Sequence, residues 1–191
     1  MPEIEYCPME AYLERLHGFA ARGFEHREFL PFLKKTLIEP ASLEKHIHWG
    51  PGRYTRNLVH KNGDFELLVL CWDRGQAAPV HGHEGEKCFA RVERGRLTLT
   101  NYRLLSRTGD GVRLEMTGRP VTGGPGYIDA LPDIHSVANS PEFGERAVSL
   151  HLYSRPYDEC DIYDLEQGRV SRVKLKYDTI GGRPAGADQG A

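Results

Sequence analysis

Two histidines separated by one residue lie at the centre of the segment Gly75-Gln-Ala-Ala-Pro-Val-His81-Gly-His83-Glu-Gly-Glu-Lys-Cys88-Phe-Ala-Arg-Val-Glu-Arg-Gly95. Successive side chains of an extended strand point to opposite faces, so His81 and His83 would approach one ion from the same face. The glycines at the ends of the segment allow the tight turns that strands need when they fold over a buried site. The segment therefore predicts a metal site built on short strands.

The spacing of this segment resembles the first motif of the cupin superfamily, which runs glycine, five residues, His-x-His, four residues, usually Glu, six residues and glycine. Here Cys88 occupies the Glu position. The later segment Gly126-Tyr-Ile-Asp-Ala-Leu-Pro-Asp-Ile-His135-Ser-Val-Ala-Asn139 resembles the second cupin motif, shortened between its proline and its histidine. The resemblance implies that His135 is the third metal ligand.

Other readings of these histidines remain open in the sequence. They could be ordinary core or surface residues, which is the commoner role of a single histidine. Glu84 and Glu86 are close enough to supply a carboxylate ligand, although neither has the spacing of the motif. A second pair, His46-Ile-His48, precedes the predicted strands, and we interpret it as structural or exposed. Three neutral imidazoles around six-coordinate iron would leave about three positions open, as in related two-histidine-one-carboxylate sites.

Length and charge limit the function. The 191 residues, 39% of them hydrophobic, fit one domain with a substantial core. The net charge of −2 provides no general attraction to nucleic acid or to anionic membranes. No apolar run approaches the roughly 18 residues that span a bilayer, and the first residues lack signal-peptide features. Four widely spaced cysteines indicate neither a disulfide framework nor a zinc knuckle. We expect a cytoplasmic monomer that binds a small molecule, with no nucleic-acid or membrane partner.

Hydrophobic periodicity divides the chain into a helical part and a strand-rich part. Apolar residues recur every three to four positions over 8–23 and 25–37, which predicts two amphipathic helices that would cover a barrel mouth. From about residue 54 the period is two, with turn sequences between the runs. The ten predicted strands are 54–60, 65–72, 78–83, 86–93, 96–105, 111–117, 126–131, 134–139, 145–154 and 168–176.

These elements predict an all-β fold, a cupin barrel (double-stranded β-helix or jelly roll) with N-terminal helices packed on it. We expect one cupin domain over residues 1–178, with its helical part at about 8–48 and its barrel at about 54–177. Residues 179–191 are small and polar, and we expect a disordered tail there.

The predicted strand 145–154 carries Ser149, His151 and Tyr153 on one face and aliphatic side chains on the other. An edge strand with its polar face in water would explain this pattern. Alternatively, the three side chains face the metal cavity as a hydrogen-bonded series, with the Tyr153 hydroxyl nearest the substrate and His151 holding it. The sequence leaves both interpretations open.

Four separated motifs together resemble the cysteine dioxygenases, the mononuclear iron thiol dioxygenases of the cupin superfamily. They lie between about residues 50 and 165 in the order found in that family. The motifs are His81-Gly-His83 with Cys88 five residues later, Tyr54-Thr-Arg56-Asn-Leu-Val59, Leu-Cys71-Trp72, and Ser149-Leu-His151-Leu-Tyr153-Ser154.

This resemblance implies a role for each motif residue. The ligands of Fe(2+) would be His81, His83 and His135. Substrate-binding residues would be Tyr54, Arg56 and Tyr153, with Arg56 on the substrate carboxylate. The catalytic group would comprise Cys88, Ser149, His151 and Tyr153. In the mammalian-type members of the family, the residues matching Cys88 and Tyr153 are joined by a thioether, and this chain retains both partners.

The function implied by the resemblance is an enzyme that converts L-cysteine and O2 to cysteine sulfinic acid. A thiol has a pKa near ~8.5, and coordination to a cation deprotonates it. Sulfinic acid is a step on the ordinary thiol oxidation ladder, and the substrate provides all the electrons, so no NAD, flavin or 2-oxoglutarate is expected. The alternatives are a dioxygenase of another small thiol, such as 3-mercaptopropionate, and a metal-binding cupin of different function.

Four positions bear on these alternatives. The related 3-mercaptopropionate dioxygenases usually carry Gln at the Arg56 position and Gly at the Cys88 position, so both residues here favour cysteine. The family commonly has Ser-Pro with a cis bond where this chain has Ser154-Arg155. A cis bond before a non-proline residue costs about 3 kcal/mol, so we expect a trans bond. Cys160 matches a family cysteine near the cavity mouth, or is simply a small buried hydrophobic residue.

Overall fold

The structure is a computed structural model that describes residues 4–186. Its helices are α1 (Met9–Ala20), α2 (His26–Lys35) and α3 (Pro40–Glu44). Its strands are β1 (Glu5–Cys7), β2 (Thr36–Ile38), β3 (Thr55–Lys61), β4 (Glu66–Trp72), β5 (Ala77–Gly82), β6 (Lys87–Arg94), β7 (Leu97–Thr108), β8 (Gly111–Met116), β9 (Val121–Gly123), β10 (Ile128–Ala130), β11 (Ile134–Ala138), β12 (Ala147–Ser154), β13 (Glu159–Asp164), β14 (Arg169–Lys174), β15 (Thr179–Ile180) and β16 (Arg183–Pro184).

Most strands belong to two seven-stranded sheets. The first sheet has the order β10-β6-β12-β4-β3-β15-β16, and the second has the order β11-β5-β13-β14-β8-β7-β9. Strand β11 pairs with both β5 and β7, which closes six strands of the second sheet into a barrel. This is the all-β cupin architecture expected from the sequence.

The alternation of side chains along the first sheet creates two apolar layers. On β4, Leu68 and Leu70 pack in the layer that includes residues of both sheets. Their neighbours Leu67 and Val69 point the other way and pack with residues of the N-terminal helices. Both faces of β4 are therefore buried, which explains its nearly continuous run of apolar residues.

The helices cover the outer face of the first sheet. Phe24 packs on Phe65 with 5.7 Å between ring centroids, and Phe29 of α2 packs on Phe89 of β6 at 4.8 Å. The prediction that the helices cover a barrel mouth is therefore wrong, because the outward side chains of this sheet are apolar and pack with residues of the helices. Within residues 4–186, no helix combines the length and apolar character needed to cross a membrane.

The ten predicted strands are all present, with ends that differ from the prediction by at most three residues. Strand β13 was missed because its sequence, Glu-Cys-Asp-Ile-Tyr-Asp, mixes polar and apolar residues without a clear period of two. The short strands β1, β2, β9, β15 and β16 were also missed, since two or three residues carry no measurable period.

The C-terminal segment is part of the first sheet. Strand β15 runs parallel to β3, and the Thr179 hydroxyl donates to Asn57 Oδ1 at 3.0 Å in a buried contact. The backbone N–H of Arg56 donates to the Asp178 carboxylate at 2.8 Å. The prediction of a disordered tail is therefore wrong for residues 179–184, whereas its last part, residues 187–191, lies outside the described residues.

Candidate metal centre

The three predicted histidines converge between the two sheets. His81 lies on β5, His83 directly follows that strand, and His135 lies opposite His81 on β11. The potential ligand atoms of the three residues lie within 4.8 Å of one another. Segments separated by about fifty residues of sequence thus supply one compact group of imidazoles.

Hydrogen bonds fix the orientation of the first two rings. Nδ1 of His81 lies 2.8 Å from the carbonyl oxygen of Pro79, and Nδ1 of His83 lies 2.9 Å from that of Pro132. A carbonyl oxygen can only accept, so each Nδ1 carries the hydrogen and donates it. The Nε2 atom of each ring therefore retains the lone pair that a metal requires.

His135 is oriented by a side chain instead. Its Nδ1 lies 3.0 Å from Oδ2 of Asp129, which is 5% exposed. The Nε2 atoms of His83 and His135 are buried and have no hydrogen-bond partner. Buried polar nitrogens without partners are costly, and a metal ion bound by these atoms would satisfy both. The residues present thus fit a metal ion.

The environment keeps the first two imidazoles neutral. Burial, followed by the proximity of His135 and His83, holds the pKa of His81 well below its ordinary value. Burial and the nearby His135 lower the pKa of His83 to about 3. Because neutral imidazole is the form that binds a metal, these two residues are in the ligating state at neutral pH.

The carboxylates proposed as alternative ligands are engaged elsewhere. Both oxygens of Glu84 accept hydrogen bonds from the guanidinium of Arg172 at 2.7 Å. The Glu86 carboxylate accepts the backbone N–H of Arg155 at 2.8 Å. Among the described residues, the group of potential metal ligands consists of the three histidines, so the carboxylate alternative is wrong.

A buried guanidinium shares a cavity with His81, one of these three histidines. Arg56 of β3 is 8% exposed and lines a small cavity of about 30 Å³ together with Tyr54, His81, Tyr157 and other side chains. Its Nε is buried without a partner, and its Nη2 lies 3.6 Å from a carboxylate oxygen of Glu66, which is too long for a hydrogen bond. The guanidinium therefore retains donors for a ligand in the cavity.

The charge of Arg56 is stable despite its burial. Burial alone would lower its pKa, but the nearby Tyr153, Tyr54 and Glu66 raise it above its ordinary value. The Glu66 carboxylate, 1% exposed, also lies 3.9 Å from Lys61. Lys61 is itself paired with Asp158 at 2.6 Å, so the Glu66 carboxylate lies nearest to the guanidinium of Arg56.

Strand β12 carries a chain of hydrogen bonds that ends at Tyr153, whose ring centroid lies 5.9 Å from that of His83. Trp72 Nε1–H donates to Ser149 Oγ at 2.9 Å, and Ser149 Oγ lies 2.9 Å from Nε2 of His151. Nδ1 of His151 lies 3.2 Å from the Tyr153 hydroxyl. A serine hydroxyl can accept two hydrogen bonds or accept one and donate one, so the contacts fit either tautomer of neutral His151, and the Nδ1–H tautomer leaves the Tyr153 hydrogen for a ligand.

This arrangement decides between the two interpretations of the strand. β12 is paired with β4 on one side and with β6 on the other, and all its residues except Ser154 are buried. The edge-strand interpretation is therefore wrong. Burial, followed by the nearby His135 and Arg56, holds the pKa of His151 well below its ordinary value, in agreement with a ring that carries a single N–H.

Cys88 lies directly opposite Tyr153 in the antiparallel pairing of β6 with β12. Both side chains are buried and belong to the apolar layer between the sheets. Side chains directly opposite each other on neighbouring antiparallel strands have Cβ atoms about 5 Å apart. The thiol and the phenol ring are thus neighbours, and burial raises the pKa of both groups well above their ordinary values.

Comparison with known proteins supplies the family. The model of the family described as cysteine dioxygenase type I matches residues 33–166. The chain belongs to the cysteine dioxygenase family. It is 32% identical to cysteine dioxygenase type 1 of Rattus norvegicus over 160 residues, which cover 83% of this chain and 80% of the rat protein. The Homo sapiens protein of the same name is 30% identical over 160 residues, with the same coverage. The Danio rerio protein is 30% identical over 172 residues, covering 88% of this chain and 85% of its own.

In this member of the cysteine dioxygenase family, the bond between Ser154 and Arg155 is cis, so the prediction of a trans bond is wrong. That prediction considered only the intrinsic preference of a non-proline bond. It could not include tertiary contacts such as the hydrogen bond from the Arg155 N–H to Glu86.

Sequence reasoning missed two buried carboxylates of the site, Asp129 and Glu66. Asp129 stands in the second motif, six residues before His135, but nothing in its spacing indicates a contact with that histidine. Cys160 lines the cavity and is buried, which agrees with both interpretations offered for it. The pair His46 and His48 lies outside the candidate metal centre.

Proposed function

We propose that this protein is an iron-dependent thiol dioxygenase that converts L-cysteine and O2 to cysteine sulfinic acid. The observation that carries the proposal is that three imidazoles converge within 4.8 Å and that one of them, His81, lines a cavity together with a buried, cationic arginine. A substrate with a thiol at one end and a carboxylate at the other matches these two features. Family membership adds independent support.

Arg56 is proposed to bind the carboxylate of the substrate. Its planar fork of donors suits a carboxylate in a bidentate manner, where lysine would provide only a point charge. Tyr54 lines the same cavity and would limit the space around the bound amino acid. Together they would orient the thiol toward the three histidines.

The three histidines are proposed to hold Fe(2+). When bound, the ion supplies open coordination positions and deprotonates the substrate thiol, whose thiolate is the reactive form. Both atoms of O2 end on sulfur, and the four electrons that reduce O2 come from that sulfur, so the balance requires no further reductant.

Tyr153 is proposed to donate a hydrogen bond to the reacting substrate. Burial keeps the pKa of its hydroxyl well above the ordinary value, so the group holds its proton at neutral pH. In the Nδ1–H tautomer of His151 that we propose, Nε2 accepts from Ser149 and Nδ1 donates to the phenol oxygen. The phenolic O–H would thereby be directed to a ligand and not to a protein acceptor.

Activity and carboxylate recognition can be tested together. We expect oxygen uptake with L-cysteine and Fe(II), and little uptake with cysteamine, which has the thiol and amine but no carboxylate. Replacing Arg56→Ala should raise KM for cysteine about 10- to 100-fold, the loss expected for charge-assisted hydrogen bonds, with unchanged iron content.

The control for Arg56→Ala is Arg103→Ala on the exposed part of β7, which removes the same charge far from the cavity. Loss of iron in Arg56→Ala would contradict its assigned role. Oxygen uptake with 3-mercaptopropionate but not with cysteine would indicate that the substrate is another small thiol. No oxygen uptake with either compound would indicate a metal-binding cupin of different function.

A thioether between Cys88 and Tyr153 is also proposed, since the two residues are direct cross-strand neighbours. The bond joins the sulfur to a ring carbon, releases two hydrogens and uses O2 as the oxidant. We expect protein that has turned over to lose the mass of two hydrogens, with both residues in one cross-linked peptide. A protein mass that shows no loss of two hydrogens after extensive turnover would exclude the bond.

A further inference from the structure

One of the three histidines differs from the others in what holds it. His81 and His83 donate their Nδ1–H groups to neutral backbone carbonyls, whereas His135 donates to the carboxylate of Asp129. The other oxygen of that carboxylate accepts the side-chain N–H of Asn101 at 2.9 Å. Each oxygen of Asp129 therefore has one donor, in a fixed direction.

The contact connects the two sheets at the metal centre. Asp129 belongs to β10 at the edge of the first sheet, whereas His135 and Asn101 are directly opposite each other on β11 and β7 of the second. The intervening loop turns sharply at Leu131, whose φ is 57°. This short, tightly turned connection allows the Asp129 carboxylate to contact His135, which lies only six residues further along the chain.

Within residues 4–186, no lysine or arginine pairs with Asp129, and the ion pair that this carboxylate forms is the one with His135. A buried carboxylate without a lysine or arginine neighbour favours positive charge nearby. A divalent cation bound by the three imidazoles would lie one ring away from the carboxylate.

We infer that Asp129 is a positioning residue that fixes the Nδ1–H tautomer of His135 and strengthens its Nε2 as a donor to the metal. This inference rests on the proposed metal centre. Hydrogen bonds from a metal-binding histidine to a carboxylate orient the ring and raise its basicity, and their loss typically costs 10- to 100-fold in metal affinity. The negative charge, in addition to the hydrogen bond, accounts for part of this effect.

Metal affinity tests the inference without reference to catalysis. Fe(II) dissociation constants would be measured anaerobically by competition with a chromophoric chelator, for the wild type, Asp129→Asn and Asp129→Ala. We expect Asp129→Asn, which keeps an acceptor but loses the charge, to bind about 10-fold more weakly, and Asp129→Ala about 100-fold more weakly. Asp110→Asn removes the same charge at an exposed turn, and we expect it to match the wild type.

Asp129→Asn with the affinity of the wild type would overturn the inference while leaving the proposed function intact. A wild-type protein that binds no Fe(II) would instead overturn the proposed function. If the variants fail to fold, nitrogen-15 NMR of the metal-free wild type decides, with His135 assigned by comparison with His135→Gln. A hydrogen on Nδ1 of His135 supports the inference, and a hydrogen on Nε2 contradicts it.

Discussion

Ser149 connects the Trp72 indole to His151 through one hydroxyl. The Trp72 indole can only donate, so Ser149 accepts from it and keeps its own hydrogen available for Nε2 of His151. In the tautomer proposed above, the N–H of His151 is at Nδ1 and faces the Tyr153 hydroxyl, so the proton arrangement at the tyrosine depends on Ser149. Such a chain is useful only when every member is present, since a partly satisfied buried network is costly.

Replacing Ser149→Ala tests this chain. The buried Trp72 N–H would lose its acceptor, so we expect the free energy of unfolding to fall by about 1–3 kcal/mol. His151 would lose the hydrogen-bond partner of its Nε2, so kcat should fall while iron content stays unchanged. Urea denaturation, kinetics and metal analysis measure these effects, with Ser106→Ala on the exposed part of β7 as the control. If kcat is unchanged while the free energy of unfolding falls, this series of hydrogen bonds has only a structural role.

At the scale of elements, the first sheet separates packing from chemistry. Ser149, His151 and Tyr153 of β12 form the polar chain, whereas Val148, Leu150 and Leu152 on the same strand pack with residues of the helices. A change to the outer layer should therefore affect stability without altering the chemistry on the other face. The alternation of side chains identifies each strand from the sequence, but it does not show which face of the sheet the helices cover.

Phe29→Ala in α2 tests this separation. The side chain is fully buried and packs edge-to-face on Phe89 of β6, so its loss should lower the free energy of unfolding by about 3–5 kcal/mol. The affinity of the folded protein for Fe(II) should remain that of the wild type. Denaturant unfolding and metal titration measure the two effects, and Leu165→Ala, at a side chain that is largely exposed, provides the matched control. A parallel loss of metal affinity would show that the two faces are coupled.

At the scale of the whole molecule, the sequence predicted that the three histidines would converge, but not which side chains would orient the residues of the site. The spacing of His81 and His83 follows from the period of a strand, and regular strands were found because that period extends over many residues. The contacts of Asp129 with His135, of Glu66 with Arg56 and of Thr179 with Asn57 join strands that are brought together only by the sheet topology. No local pattern indicates such pairs, because none of them depends on a repeat in the sequence.

Removal of the metal should destabilise the whole fold. The Nε2 atoms of His83 and His135 are buried without partners, and a ligand that binds only the folded state at 100 times its Kd stabilises it by about 2.7 kcal/mol. Treatment with a chelator should therefore lower Tm on the order of 5–10 °C, and Fe(II) should restore it. Differential scanning calorimetry would measure the shift. His135→Gln should show no dependence on the chelator, and a wild type that also shows none would argue against ligation by these atoms.

The pairing of β15 with β3 affects how the protein is made. Arg56 lies on β3, and its backbone N–H and carbonyl oxygen both bond to Asp178, the residue directly before β15. Until that segment leaves the ribosome, the strand that carries the arginine has one open edge. The cavity that Arg56 lines is therefore completed only after residues 178–180 have been made, later than the strands that carry the three histidines.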